Sequence, residues 1–174
     1  MGSTEQFLSN KVRGVRMDAF KIDIFKKENP GVELFEIQSL TVPDAERVRA
    51  RLRKLLKIKD DADILRCLGS QPNTSVCSVL DAGFSMETEL KKLRICDEYI
   101  YINWDDFSLI DKVGVNDFCR WFEYIWYPAS DDIDIFNDDL TWFLHVYHCG
   151  TLAITRLDST CDEAESCQIR RTRQ

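Results

Sequence analysis

The sequence has no long hydrophobic run and no leader-like start. No stretch of about 18 apolar residues, the length that a membrane-spanning helix needs, is present. The first ten residues are polar and lack the basic-then-apolar pattern of a signal peptide. We therefore expect a cytoplasmic protein without a membrane span.

Catalytic motifs are also missing. There is no GxSxG, no HExxH, no kinase set and no phosphate-cradling loop, and the chain has only seven glycines. The two histidines, His145 and His148, are three apart on a predicted strand, so they point to opposite faces and cannot share a metal ion. We predict no catalytic residue. A small hydrolase or transferase using His145 or His148 as a general base is the alternative.

Paired cysteines are absent as well. The seven cysteines contain no CxxC pair, and they are Cys67, Cys77, Cys96, Cys119, Cys149, Cys161 and Cys167. Zinc sites usually bring their cysteines in close pairs, so we expect reduced thiols, no metal site and no cofactor. Cys149 follows His148 directly, but neighbours along a strand face opposite ways and are poorly placed for a nucleophile–base bond.

The most legible stretch is 130–157, which predicts a three-stranded meander. Ile133 and Ile135 alternate with aspartates, the pattern of a strand with one buried face. The run 140–148 is apolar on both sides and predicts a central strand covered on both faces. Gly150 then turns the chain into a third strand, 151–157.

Two segments outside the meander are predicted to be helices. Residues 115–127 carry an aromatic stripe at helical spacing, which we expect to pack on one face of the meander. Residues 44–59 form an amphipathic helix, capped by Thr41 and with Pro43 in its first turn. Phe20–Phe25 leans toward a strand, and 32–40 is predicted to be another.

These elements predict an α+β fold, with a mainly antiparallel sheet whose C-terminal meander packs against helices. The length of 174 residues suggests one domain, which we place at 1–157. After Leu157 the sequence is polar and loses its periodicity, so 158–174 is expected to be a disordered tail.

Negative charge is concentrated in one segment. The net charge is −7, yet residues 97–139 contain twelve acidic residues against Lys112 and Arg120 alone. The cluster at 131–139 does not match an EF-hand loop, which requires a central glycine and a closing glutamate. If this region is a strand, Asp132 and Asp134 share an outward face and form an exposed acidic ridge. Such a field repels nucleic acid and attracts basic partners.

The helix 44–59 supports a different reading through its basic face. The side opposite its apolar stripe carries Arg47, Arg53, Lys54 and Lys57. A nucleic-acid-associated regulator would use this face to bind phosphates. No aromatic residue interleaves the charges as a stacking platform would require, so nucleic acid is not the expected partner.

The order of features in 115–157 resembles a known family. An aromatic helix is followed by Tyr127-Pro128, by Ser-Asp-Asp-Ile-x-Ile-Phe, by a turn, and by Leu-x-Trp-x-Leu-x-Val-x-His. This order is similar to the C-terminal half of small bacterial immunity-type proteins, which are encoded beside polymorphic or contact-dependent toxins. The resemblance implies a cytoplasmic, non-catalytic protein that blocks a cognate toxin domain, such as a nuclease with a basic cleft, through an acidic surface. It leaves the oligomeric state open.

We accordingly predict a partner-binding face made of seven aspartates. They belong to the acidic segment, whose charge would steer a basic partner, and Asp132 and Asp134 are expected on its outward face. They are Asp105, Asp106, Asp131, Asp132, Asp134, Asp138 and Asp139.

Overall fold

The computed structural model describes residues 17–157. Within this range the chain forms five α-helices, one 3-10 turn and seven strands. The helices are α1 (Ala19–Glu28), α2 (Val42–Leu56), α3 (Ile64–Ser70), α4 (Met86–Lys92) and α5 (Val115–Ile125), with the 3-10 turn at Asp61–Asp63. The strands are β1 (Ile37–Ser39), β2 (Asn73–Ser78), β3 (Tyr99–Asp105), β4 (Leu109–Gly114), β5 (Ile133–Phe136), β6 (Trp142–Val146) and β7 (Thr151–Arg156). The predicted tail 158–174 lies outside the described residues.

All seven strands pair in one antiparallel sheet, in the order β1-β4-β3-β5-β6-β7-β2. The last three strands in sequence are neighbours in space, so the predicted meander is confirmed. The α+β class is confirmed with it. In residues 17–157, none of the helices has the length and apolar character that crossing a bilayer requires.

Helices cover both faces of the sheet. One core joins α1, α4 and α5 to one side of the central strands, through residues such as Phe25, Phe118 and Leu144. A second core joins α2 and α3 to the other side, through Leu52 and Phe143. Every residue of β6 is buried, because one set of its side chains enters each core. Helix α5 therefore packs where the aromatic stripe predicted.

Local sequence signals predicted the existence and the N-terminal cap of α2 correctly, but not its end, which was expected at residue 59. The Thr41 hydroxyl accepts a hydrogen bond from the Asp44 amide at 3.3 Å, and the proline lies in the first turn. The helix ends at Leu56, and Lys57 then takes a left-handed conformation with φ of 56°. Such a residue commonly terminates a helix.

The strand expected at Phe20–Phe25 is wrong, because this segment belongs to α1. Ile22 and Phe25 are both buried, at a spacing of three that suits one helix face. The Phe25 ring packs edge-on against Trp121 and Tyr124 of α5. This tertiary contact outweighs the local strand preference of phenylalanine and isoleucine. The strand expected at 32–40 is also shorter than predicted, with only Ile37–Ser39 paired.

Candidate functional site

The fold distributes six of the seven predicted aspartates over two ends of the sheet, and the seventh, Asp134, lies within β5 between them. Because β3 pairs with β5 so that Asn103 faces Asp134, Asp105 lies level with Asp132. We call this end, with its four aspartates, the Asp132 end; it contains Asp105, Asp106, Asp131 and Asp132. Asp138 and Asp139 lie in the β5–β6 turn, six residues or about 20 Å further along β5. We call that the Asp138 end.

Three exposed carboxylates lie at the Asp132 end, on two separate segments of the chain. Asp105 and Asp106 are exposed in the β3–β4 turn. Asp132, whose side chain is 61% exposed, accepts a hydrogen bond from the His148 amide at 2.7 Å. The His148 ring nitrogen Nδ1 lies 3.0 Å from the same carboxylate oxygen. Among residues 17–157, no lysine or arginine forms an ion pair with any of these three carboxylates.

Asp131 is not displayed to solvent, since it holds a buried lysine. Its Oδ2 lies 2.6 Å from Lys21 Nζ, and the side chains are 13% and 1% exposed respectively. Lys21 also donates to the Ile125 carbonyl at 2.9 Å and lies 4.7 Å from the centre of the Trp104 ring. The charge of Asp131 is thus neutralised within the fold, where it fastens α1 to the loop before β5.

A shallow cleft of about 270 Å³ opens beside this ion pair. The cleft is lined by two exposed carboxylate residues, Asp18 and Asp132. The half-buried Trp104 and Leu109 give it an apolar wall. An acidic rim around an apolar wall suits the head and stem of a partner's lysine or arginine.

Asp134 lies on the α2-facing side of β5, as the alternation predicted, but it is not part of an exposed ridge. Its side chain is only 17% exposed, because α2 and α3 cover this face as well. Asp134 Oδ1 lies 2.7 Å from His145 Nδ1, and Oδ2 accepts from Asn103 Nδ2 at 2.9 Å. His145 Nε2 lies 3.1 Å from the Thr155 hydroxyl.

This hydroxyl–imidazole–carboxylate order is that of a nucleophile, a base and an orienting acid. Here, however, His145 is 6% exposed and Thr155 is fully buried. A catalytic base needs access to its substrate's proton, and the described cleft does not include these side chains. The geometry therefore supports a structural hydrogen-bond network in place of a reaction centre.

The β3–β4 turn holds its two aspartates on a constrained backbone. Asp106 and Phe107 have positive φ values of 42° and 57°, a backbone conformation that residues other than glycine rarely take. The Phe107 ring is fully buried in the core beneath α2. Asn103 Oδ1 accepts from the Phe107 amide at 2.7 Å, and Arg49 donates to the Phe107 carbonyl at 2.9 Å.

The β5–β6 turn at the Asp138 end has the same construction. Leu140 takes a φ of 58° and is buried in the same core as Phe107. Asn137 Oδ1 accepts from the Thr141 amide at 3.0 Å. Asp138 accepts from the Tyr101 hydroxyl at 3.1 Å and lies 3.9 Å from Arg51. The negative charge at this end is therefore partly compensated.

The arginines on the basic side of α2 form ion pairs within the fold. Arg53 and Arg49 both bind Glu46 and Asp61. Hydrogen bonds from Arg53 and then Arg49 lower the pKa of the Glu46 carboxyl below its ordinary value. Arg47 pairs with Asp44 on the helix surface. The arginines proposed to bind phosphates thus already have carboxylate partners.

The described thiols differ in their ionisation. Burial raises the pKa of Cys119 to about 11. Cys149 is exposed in the β6–β7 turn, 3.3 Å from the Thr151 hydroxyl, and that hydrogen bond lowers its pKa below the ordinary value. Across residues 17–157, no three His, Cys, Asp or Glu side chains are arranged to hold a metal ion.

Sequence reasoning found the aspartates but missed the residues that position them. Lys21 and Asn103 were not singled out, and Asn137 was interpreted only as a turn residue. A signal for the asparagines is present, since each stands before an Asp-Asp pair and a large apolar residue, in Asn-Trp-Asp-Asp-Phe and Asn-Asp-Asp-Leu. No comparable local signal marks Lys21, whose partner Asp131 is 110 residues away.

No family model, curated protein or solved structure matches the chain.

Proposed function

We propose that this protein is a non-catalytic, immunity-type domain that neutralises a cognate toxin by binding a basic surface of it at the Asp132 end. One observation carries the proposal. Asp105, Asp106 and Asp132 come from two segments of the chain, are exposed together, and lack a lysine or arginine partner among residues 17–157.

The chemistry of the surface supports a protein partner of positive charge. Uncompensated carboxylates accelerate association with a basic surface and set its orientation. The neighbouring cleft adds the half-buried Trp104, and tryptophan is prominent among residues that anchor interfaces. Toxin domains that cleave nucleic acid present such basic clefts, and a carboxylate surface would occupy the place of the phosphates.

The two alternatives receive less support. The arginines of α2 that a nucleic-acid regulator would use are paired with Asp44, Glu46 and Asp61. The histidine with triad-like neighbours, His145, is buried. His148 is exposed but lies against Asp132 in a turn.

A growth assay tests the proposal. A toxic domain encoded by a neighbouring gene, which the proposal requires, is expressed with the wild type or with the triple variant Asp105→Lys/Asp106→Lys/Asp132→Lys. We expect the wild type to restore growth and the triple variant to lose protection while remaining folded by circular dichroism. Exposed charges contribute little to folding, so the fold should survive.

The matched control is Asp138→Lys/Asp139→Lys, which reverses two exposed aspartates at the other end. It should protect as well as the wild type does. A folded triple variant that still protects would sink the assignment to the Asp132 end.

A further inference from the structure

A row of four polar side chains crosses four neighbouring strands on the α2-facing side of the sheet. Asn103, Asp134, His145 and Thr155 stand on β3, β5, β6 and β7 and are linked by hydrogen bonds of 2.7–3.1 Å. In the described range, no buried side-chain nitrogen or oxygen lacks a hydrogen-bond partner. Every buried polar atom of this row therefore has a hydrogen-bond partner, although the row lies beside an aromatic core.

The chemistry of the four side chains determines which group donates and which accepts in each hydrogen bond of the row. A carboxylate only accepts, so Asp134 receives one hydrogen bond from Asn103 Nδ2 and one from His145 Nδ1. In the neutral ring Nε2 then accepts from the Thr155 hydroxyl. His145 carries a proton on Nδ1 both in this neutral form and when fully protonated, so its bond to Asp134 persists in both states.

The row ends on the backbone of the β3–β4 turn. Because Asn103 Nδ2 is fixed by Asp134, its Oδ1 points at the turn, where it accepts from the amides of Phe107 at 2.7 Å and Asp105 at 3.3 Å. A turn with two successive positive φ values persists only when its surroundings hold it. The side-chain oxygen of Asn103 stabilises the turn from within the sheet by accepting these two hydrogen bonds.

We propose that Asn103 is the positioning residue of the β3–β4 turn, and that Asp134 and His145 act through it to keep Asp105 and Asp106 in one fixed orientation. The value of this orientation for binding rests on the proposed function; the positioning itself does not. A preorganised turn loses less conformational entropy when a partner binds, so positioning raises affinity without adding a contact.

Amide hydrogen exchange on the full chain tests the positioning, with Asn137→Ala as the matched control. We expect Asn103→Ala to raise exchange at the Phe107 amide about tenfold or more, as loss of a buried hydrogen bond implies, and to leave the Thr141 amide unchanged. Asn137→Ala should do the reverse. Equal exchange at Phe107 in the wild type and in Asn103→Ala would overturn the proposal.

Two further variants separate positioning from a general loss of stability. The exchanged pair Asn103→Asp/Asp134→Asn keeps an acceptor oxygen at 103 and a donor between the two side chains, so the Phe107 amide should exchange more slowly than in Asn103→Ala. His145→Phe removes the far support, and it should raise exchange at Phe107 while Thr141 stays protected. If Asn103→Ala does not fold, these two variants still decide: unchanged exchange at Phe107 in His145→Phe contradicts the proposal.

Binding of a ten-residue polylysine peptide, measured between 20 and 150 mM salt, separates positioning from function. Asp105→Asn/Asp106→Asn should weaken binding and flatten its salt dependence, because two charges are removed, whereas Asp138→Asn/Asp139→Asn should have a smaller effect. Asn103→Ala should weaken binding severalfold at an unchanged salt slope. Normal peptide binding by Asp105→Asn/Asp106→Asn would count against the proposed function, while the exchange result would still stand.

Discussion

The two ends of the sheet display their aspartates in the same way but support them differently. In both turns a buried asparagine accepts an amide at position i+4, and a buried apolar residue with positive φ follows the Asp-Asp pair. Each asparagine donates a side-chain N–H to a carboxylate, and that carboxylate also accepts a hydrogen bond from a ring N–H. At the Asp132 end the carboxylate is Asp134 and the ring is His145. At the Asp138 end they are Asp97 and Trp142.

The difference lies in what surrounds this shared construction. The Asp132 end adds the buried ion pair of Lys21 with Asp131. None of its exposed carboxylates has a lysine or arginine partner in the described range, and Asp132 lies against the His148 imidazole. The Asp138 end has no buried lysine among residues 17–157, and Arg51 lies 3.9 Å from its exposed Asp138. One end is thus supported by a buried ion pair and has no lysine or arginine at its exposed carboxylates, whereas the other is partly neutralised by Arg51. This contrast, more than the number of aspartates, is why we propose the Asp132 end as the binding surface.

Removing the lysine should have the largest effect on stability and should break the contrast. Lys21→Met leaves Asp131 mostly buried without its cation, so the free energy of unfolding should fall by about 3–5 kcal/mol. Urea denaturation measures the loss. The control is Arg47→Ala, which removes an exposed ion pair and should cost about 0–1 kcal/mol.

The double variant Lys21→Met/Asp131→Leu sharpens this test. With both charges gone, most of the stability should return, because an apolar pair of similar size needs no compensation. A loss below about 1 kcal/mol in Lys21→Met would show that the ion pair does not fasten α1 as we describe.

Removing the carboxylates that bind the two asparagines, Asp134 and Asp97, should have the next largest effects on the free energy of unfolding. Asp134→Ala leaves the His145 and Asn103 donors unpaired in a covered region, and should lower the free energy of unfolding by about 3 kcal/mol. Asp97→Ala affects the donors of Trp142 and Asn137 at a half-exposed site, so about 1 kcal/mol is expected. Thermal or urea unfolding of both variants, with the exposed Asp139→Ala as a control near zero, gives the order. The reverse order would contradict the contrast between the ends.

Sequence periodicity predicted the parts of the fold that repeat a local pattern. The meander, α2 and α5 follow from alternation, capping and an aromatic stripe. Strand β4 was not predicted, because Asp111 interrupts its apolar pattern. That carboxylate is fully buried and accepts from the amide of Met17, the hydroxyl of Ser39 and the indole of Trp104.

The candidate site was only half predictable for a related reason. Composition identified the aspartates, but their division into two ends depends on the pairing of β3 with β5, which are distant in sequence. The burial of Asp131 depends on Lys21, which belongs to a helix that local propensity favoured as a strand. Long-range pairing of this kind leaves no periodic signal.

The smallest effect concerns the thiol at the Asp132 end, and it tests the β6–β7 turn directly. The thiolate is the reactive form of cysteine, and the Thr151 hydroxyl lowers the pKa of Cys149. Iodoacetamide at pH 7.5, with the modified sites read by mass spectrometry, should therefore alkylate Cys149 far faster than Cys119, whose pKa is about 11. Thr151→Val should raise the pKa of Cys149 and slow its alkylation by about two- to fivefold at this pH.

The sign of the pH dependence follows from the same two groups. As the pH rises through the pKa of Cys149, the wild type and Thr151→Val should converge, because both thiols become fully ionised. Cys119 should stay slow until the pH approaches 11. If Thr151→Val reacts at the wild-type rate at pH 7.5, the hydroxyl does not hold the thiolate. The turn that places His148 against Asp132 would then be less ordered than the Cys149–Thr151 contact implies, and the Asp132 end would lose part of the rigidity that distinguishes it from the Asp138 end.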